Sequence, residues 1–174
     1  MTDISLLPEL ATFLAHWKNC CEPGHLVPTV QGWLQRLTGP IALRSFRVEL
    51  TDTDAIVQFI GSANAAALGF NSTGLSVFHG NPERREIGMV NFRRVVQHPC
   101  GLITEATMLG ETPPVQMQAI LLPLRVEAGR RPQIVSATIS RSVLGSDTKL
   151  QPDWKMNETQ WIDIGGGAPD QLPR

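Results

Sequence analysis

The sequence predicts an α+β domain in which one five-stranded antiparallel sheet carries helices on one face and is preceded by N-terminal helices. Three observations lead to this prediction. Apolar residues recur at three- and four-residue intervals before position 40, which is typical of helices. They alternate with polar residues between 46 and 60, and the strand pattern returns in three long segments after 100. Turn-forming clusters separate these segments.

The first segment is an amphipathic helix that Glu22-Pro23-Gly24 ends. Its apolar side chains line one face, and leaving large apolar side chains in water would cost about 1.5 to 3 kcal/mol each. We therefore expect this stripe to pair with a second copy or with a partner protein. The alternative is that the helix folds back onto its own sheet. The stripe consists of Leu6, Leu10, Phe13, Leu14 and Trp17.

The remaining elements follow in order along the chain. A shorter helix over 30–37 ends at Thr38-Gly39-Pro40, and two strands, 46–50 and 55–60, form a hairpin. A connector with brief helices covers 62–78, and a longer helix covers 82–96 with Asn81 as its candidate cap. Three strands over 101–109, 115–126 and 133–143 complete the sheet. Pro123 requires a bulge, a strand end or an edge position, because proline has no amide hydrogen to donate.

Three parts are predicted along the chain: an N-terminal helical segment over 1–40, the sheet domain over 41–145 and a C-terminal tail over 146–174. The tail loses periodicity and gains Gly, Pro and Asp. We expect it to be partly disordered or docked through Trp154 and Trp161.

Composition limits the classes of function. The chain has 174 residues, 42% of them apolar and 18% charged, which suits one globular domain with a core. A net charge of −1 provides no global field for nucleic acid or an anionic membrane, and no apolar run approaches the roughly 20 residues of a membrane span. Three cysteines, two of them adjacent, argue against a disulfide framework. The sequence therefore predicts a cytoplasmic protein with no nucleic-acid or membrane partner.

A stretch directly after the second predicted strand resembles a motif of PAS domains. In PAS domains an Asn-Ala or Asn-x-Ala pair leads into a Leu-Gly-aromatic turn and then a glycine. The corresponding residues here are Asn64, Leu68, Gly69, Phe70 and Gly74. They also read as purely structural turn residues, since glycine tolerates a positive φ and Asn64 can cap the following short helix.

Residues 8–144 resemble more narrowly the bacterial stand-alone PAS family, which carries helices before the sheet. The resemblance rests on Phe59-Ile60-Gly61-Ser62, Thr73-Gly74, Pro99-Cys100-Gly101 and Leu121-Leu122-Pro123-Leu124. It implies a sheet that cups a ligand-sized cavity under the helices and a sensory or docking role. It implies no universal ligand and no catalytic residue.

Candidate catalytic and cofactor groups are sparse. Cys100 and His98 are two residues apart on an extended segment, and neither this pair nor Cys20-Cys21 has the spacing of a structural zinc site. The glycine run 165–167 lacks the strand and helix of a nucleotide-binding loop. His79 and His98 flank the long helix, yet a histidine near a helix end is more often a cap or surface residue than a haem ligand. We expect no enzyme, no catalytic residue and no metal, and neither haem nor flavin is indicated.

Two residue sets are candidates for binding. The first would line a pocket or simply fill the core: Met89, Phe92, Val96, Met108, Met117, Ala119 and Leu121. The second is a basic cluster that could contact phosphate or an acidic partner, or could be a solvated charged face: Arg84, Arg85, Arg93 and Arg94.

The function expected from these observations is that of a stand-alone PAS-like sensory or regulatory domain in signal transduction. It would act by binding a small molecule, by protein–protein interaction, or by both. Its partner would be a second copy or a signalling protein. The alternatives are a small-molecule carrier or enzyme on the same fold, and a dimerising structural adaptor.

Overall fold

The computed structural model of the chain describes residues 4–108, 115–140 and 154–169. Within these ranges six strands form one antiparallel sheet with the spatial order β2-β1-β5-β4-β3-β6. In chain order the strands are β1 (Ser45–Leu50), β2 (Ala55–Ile60), β3 (Gly101–Met108), β4 (Val115–Leu124), β5 (Gln133–Ser140) and β6 (Trp154–Ile162). The predicted α+β class and the antiparallel pairing are confirmed.

Five α-helices accompany the sheet in the described part of the chain. They are α1 (Pro8–Asn19), α2 (Val30–Arg36), α3 (Gly39–Arg44), α4 (Ser62–Leu68) and α5 (Arg85–Gln97), and a 3₁₀ turn (Pro82–Arg84) precedes α5. Gly39-Pro40 begins α3 rather than only ending α2, because proline is tolerated in a first helical turn. Asn81 stands at the N-cap position of this turn, as predicted, but its side chain makes no capping hydrogen bond to the described residues. No described helix has the length and apolar character needed to cross a membrane.

The sheet has six strands rather than the five predicted, and the sixth comes from the range assigned to the tail. β6 pairs with β3 from Gly101↔Ile162 to Met108↔Trp154. The register shifts between Glu105↔Glu158 and Ala106↔Met156, which leaves Asn157 as an extra residue. This bulge interrupts the alternation of side chains along β6, and the sequence therefore shows no strand pattern that continues over the whole of β6.

Helices lie on both faces of the sheet, so the predicted single helical face is wrong. On the face that we call the α1 face, Ile120 and Leu122 of β4 pack with α1 and α2. On the opposite face, the α5 face, Leu121 packs with Met89 and Val95 of α5. A central strand buried on both sides is a continuous apolar run rather than an alternating one, and 119–122 is such a run.

The apolar stripe of α1 packs on its own sheet, so the predicted pairing of this stripe with a second copy or a partner is wrong. Leu10, Phe13 and Trp17 are at most 2% exposed and belong to the core of the α1 face, and Leu6 and Leu14 pack against it partly buried. Trp17 also donates its indole N–H to the carbonyl of Pro123 at 3.0 Å. Folding back removes the stripe from water without a partner, which was the alternative considered.

Pro123 is accommodated at a strand end. It pairs with Ile134 of β5, but the pairing of β4 with β3 stops at Leu102↔Leu121. β3 therefore no longer runs beside β4 at Pro123, and the missing amide hydrogen breaks no ladder on that side.

Candidate functional site

Four of the seven predicted pocket residues fill the core between α5 and the sheet. Met89 and Leu121 are buried there, and Phe92 and Val96 pack against the same cluster. The ring of Phe92 stacks on Phe78 at a centroid distance of 5.7 Å. For these four residues the structure shows the core-filling alternative.

Met117 and Ala119 lie on the same face of β4 as Leu121 but outside that cluster, and both are only partly buried. The side chain of Met108 lies outside the described part of the structure. Ala119 pairs with Thr104 on one side and with Thr138 on the other, and Thr104 pairs in turn with Thr159. Four small, partly buried side chains thus form one row across four strands of the α5 face. We call Thr159, Thr104, Ala119 and Thr138 the small-residue row.

Trp161 lies at one end of the next row, because it pairs with Leu102, which pairs with Leu121. Trp161 packs partly buried against the core under α5. Its indole nitrogen is buried and has no hydrogen-bond partner among the residues that the structure describes, although buried tryptophan N–H groups normally find one. An unpaired donor therefore lies beside the small-residue row.

Sequence reasoning missed this role of Trp161 and named the residue only as an anchor of the tail. The signal that could have found it is the pair Thr159 and Trp161, two residues apart, which alternate as they would on a strand.

Trp33 also carries a buried indole nitrogen that has no partner within the described ranges, and it lies on the other side of the sheet. It is fully buried and packs edge-on against Phe13 and His16, each at a ring-centroid distance of 5.3 Å. Trp33 is enclosed by the core of the α1 face, whereas Trp161 borders partly exposed small side chains. The two tryptophans thus differ in access to a ligand.

The motif turn is built by glycines and one asparagine. Gly69 and Gly74 have φ angles of 80° and 85°, the left-handed region that favours glycine. Asn64 does not cap α4, because the N-cap is Gly61; its side-chain nitrogen instead donates to the carbonyl of Arg44 at 2.7 Å. Asn64 thus stabilises the junction between α3 and β1, which corrects the predicted capping.

The rest of the turn returns the chain to the sheet. Gly74 donates its N–H to Val57 of β2 at 2.8 Å, so the segment runs beside this edge strand. Leu68 is partly buried and Phe70 is exposed, so neither is a core residue. Gly61 is required by close approach, since a Cβ there would lie 2.2 Å from the carbonyl oxygen of Ala42.

The arginines of the basic cluster do not act as one surface. Arg85 lies 3.6 Å from the carboxylate of Asp54, and Arg93 donates to the backbone carbonyl of Asp52, so both hold α5 to the β1–β2 turn. Arg84 and Arg94 are partly buried. Arg85 and Arg93 line an open groove of about 530 Å³, together with Asp52, Thr53, Pro82, Glu83, Glu86, Met89 and Val90. Its mixed charge does not favour a purely anionic ligand.

Cys100 and His98 differ in exposure, because Cys100 is fully buried and His98 is exposed. Burial raises the pKa of the Cys100 thiol to about 11, so the thiol is protonated at neutral pH. Within the described ranges, no group of three His, Cys, Asp or Glu side chains is arranged to hold a metal ion.

No protein-family model matches this chain. A comparison with curated proteins finds no match either. The chemistry of the site is therefore inferred from the residues themselves.

The glycine run forms a local turn. The carboxylate of Asp163 accepts hydrogen bonds from the N–H groups of Gly165 at 2.7 Å and Gly167 at 2.9 Å. These bonds lower the pKa of Asp163. The turn places Ile164 in the core of the α1 face. The N–H groups of Gly165 and Gly167 thus bond to Asp163 of the same turn.

Proposed function

We propose that this chain is a PAS-like sensory or regulatory module that binds a small molecule on the α5 face of its sheet. The order of elements supports the proposal: a hairpin, a glycine turn with a short helix, a longer helix and three sequential strands share one antiparallel sheet. This is the order that the resemblance to PAS domains implies. The preceding helices are present as well.

One observation carries the location of the site: the buried indole N–H of Trp161 lies beside the small-residue row and has no partner in the described part of the chain. A buried donor without a partner is unfavourable by about 1 to 3 kcal/mol, and a ligand acceptor atom would remove that cost. The small side chains of the row beside the indole nitrogen leave room for a ligand, whereas large side chains at these positions would fill that space.

The surroundings define the class of ligand. Met117 and Ala119 contribute apolar surface outside the filled core, and Trp161 contributes an aromatic ring and one donor. The hydroxyls of Thr104 and Thr138 add donors or acceptors on the sheet. The ligand is a small, mainly apolar or aromatic molecule with at least one hydrogen-bond acceptor.

We propose that a signalling partner docks in the groove between the β1–β2 turn and α5. The groove is open and mixes charged residues with Met89 and Val90, as the rim and centre of protein interfaces do. Arg85 and Arg93 of α5 bind the β1–β2 turn on the other side of the groove. A ligand that shifts α5 would therefore change the shape of the groove. The three cysteines are free, which suits a cytoplasmic module.

The test is a fragment screen followed by two-dimensional ¹H–¹⁵N NMR of the full chain. We expect binding fragments to shift the indole N–H signal of Trp161 and to leave that of Trp33 in place. Trp33 is the matched control, because its indole nitrogen is also buried and unpaired but lies in the opposite core. The proposal is wrong if fragments shift Trp33 instead, or if none shifts Trp161.

A further inference from the structure

Residues 4–7 form an extended segment before α1 that crosses part of the α1 face. Ile4 donates its N–H to the side chain of Gln160 on β6 at 2.6 Å, and Leu7 donates to the side chain of Gln118 on β4 at 2.8 Å. Since β3 lies between β4 and β6, the segment spans three strands. We call residues 4–7 the N-terminal strap.

Gln118 holds the strap in the way that a neighbouring strand would. Its side-chain oxygen accepts from the N–H of Leu7, and its side-chain nitrogen donates to the carbonyl of Ser5 at 3.0 Å. In an extended chain the carbonyl of one residue and the N–H two residues later point to the same side. One primary amide therefore binds the strap through its backbone, independently of its side chains.

Gln118 is fully buried, and its nitrogen also donates to Glu105 at 3.0 Å. With the strap closed, both the oxygen and the nitrogen of the buried Gln118 amide have hydrogen-bond partners, which stabilises the closed arrangement. With the strap open, only Glu105 and water would remain as partners of this amide. The hydrogen bonds of Gln118 thus favour the closed strap.

The strap is less deeply buried than the helix that follows it. Ile4, Leu6 and Leu7 are partly buried and Ser5 is exposed, while α1 is anchored by fully buried side chains. Pro8, the first residue of α1, has no N–H, and the backbone bond between helix and strap runs from the Ala11 N–H to the Leu7 carbonyl at 2.9 Å. The helix therefore holds the carbonyl end of Leu7, and the N–H side of Leu7 and the residues before it are held by the sheet. The strap can leave the sheet while α1 stays in place.

From this geometry we propose that the N-terminal strap is a displaceable cover with Gln118 as its latch. It opens by turning about the backbone of Leu7, whose carbonyl stays bonded to the Ala11 N–H of α1, and its opening gives water and other molecules access to Gln118 and Glu105. This device is independent of the ligand site proposed above, which lies on the other face of the sheet.

The test is native-state hydrogen exchange of the full chain, followed by NMR at increasing urea. We expect the Leu7 amide to exchange through a local opening that depends little on urea, while the Trp17 amide shows the steep dependence of global unfolding. Equal urea dependence for Leu7 and Trp17 would overturn the proposal, because the strap would then open only with the whole fold.

Variants test the latch. Gln118→Met keeps the length of the side chain and removes the amide, and we expect about tenfold faster exchange at Leu7, while exchange at Trp17 keeps its steep urea dependence. Gln116→Met is the matched control, since Gln116 is on the same strand but bonds to Thr107 and Asn157. Unchanged exchange at Leu7 in Gln118→Met contradicts the latch. If that variant does not fold, the urea dependence of the unmodified chain decides.

Discussion

Replacing Trp17 by Phe tests the packing of α1 on its own sheet. Trp17 is fully buried, and its indole N–H is bonded to Pro123 at 3.0 Å. Phe cannot donate, so the carbonyl loses this partner at a cost of about 1 to 3 kcal/mol, and the smaller ring leaves a gap that adds about 1 kcal/mol. We expect the free energy of unfolding to fall by about 2 to 4 kcal/mol.

The assay is urea unfolding followed by circular dichroism, combined with sedimentation velocity. Ile87→Ala is the control, because Ile87 is 59% exposed on α5 and its loss should change stability by less than about 0.5 kcal/mol. Wild-type stability in Trp17→Phe, together with the conversion of a dimer into a monomer, would refute the reasoning, since Trp17 would then lie at an interface between copies.

Three further predictions concern single residues. Gly61→Ala should destabilise the fold by roughly 2 kcal/mol or more, because the added Cβ meets the Ala42 carbonyl. Thermal unfolding measures this change, and an unchanged melting temperature would contradict the prediction. The buried Cys100 thiol stabilises the fold below its unfolded pKa of 9.0, and this contribution is lost as pH rises through about 11. Two pKa units correspond to about 3 kcal/mol, so Cys100→Ala should lose less stability than wild type between pH 9 and 11. Asp163 has a lowered pKa, so its contribution to the stability of the fold is present above pH 3.8 and is lost as pH falls through the folded pKa. The stability of Asp163→Ala should therefore depend less on acid than that of wild type. Equal stability curves of the two proteins in acid would contradict this prediction.

The sequence predicted most of the architecture because its periodic segments are long. The hairpin appeared with nearly the observed bounds, since Phe46, Val48 and Leu50 alternate with charged residues. The three strands after position 100 and the long helix followed from the same periodicity and from the prolines and glycines between them.

The remaining features depend on contacts that are distant in the chain. β6 was missed because the bulge at Asn157 disrupts its alternation, and the second helical face was missed because β4 is apolar on both sides. The stripe on α1 showed that a partner surface was needed, but not which one. Only the fold shows that the chain's own sheet is the surface that covers the stripe.

The candidate site was predictable only in part. Ala119 and Met117 were named, and both lie on the α5 face outside the filled core. The small-residue row depends on the register of four strands, which no local pattern contains. The unpaired nitrogen of Trp161 becomes apparent only when its surroundings are known.

The most direct measurement of the proposed function compares the affinity of one bound fragment for wild type and for Ala119→Phe. The added ring would occupy the small-residue row, so we expect affinity to fall by about tenfold or more, which is about 1.4 kcal/mol. Ala11→Phe, at an exposed position of α1, is the matched control and should bind like wild type. Equal affinity of Ala119→Phe and wild type, with both variants folded, would contradict a ligand site on the α5 face.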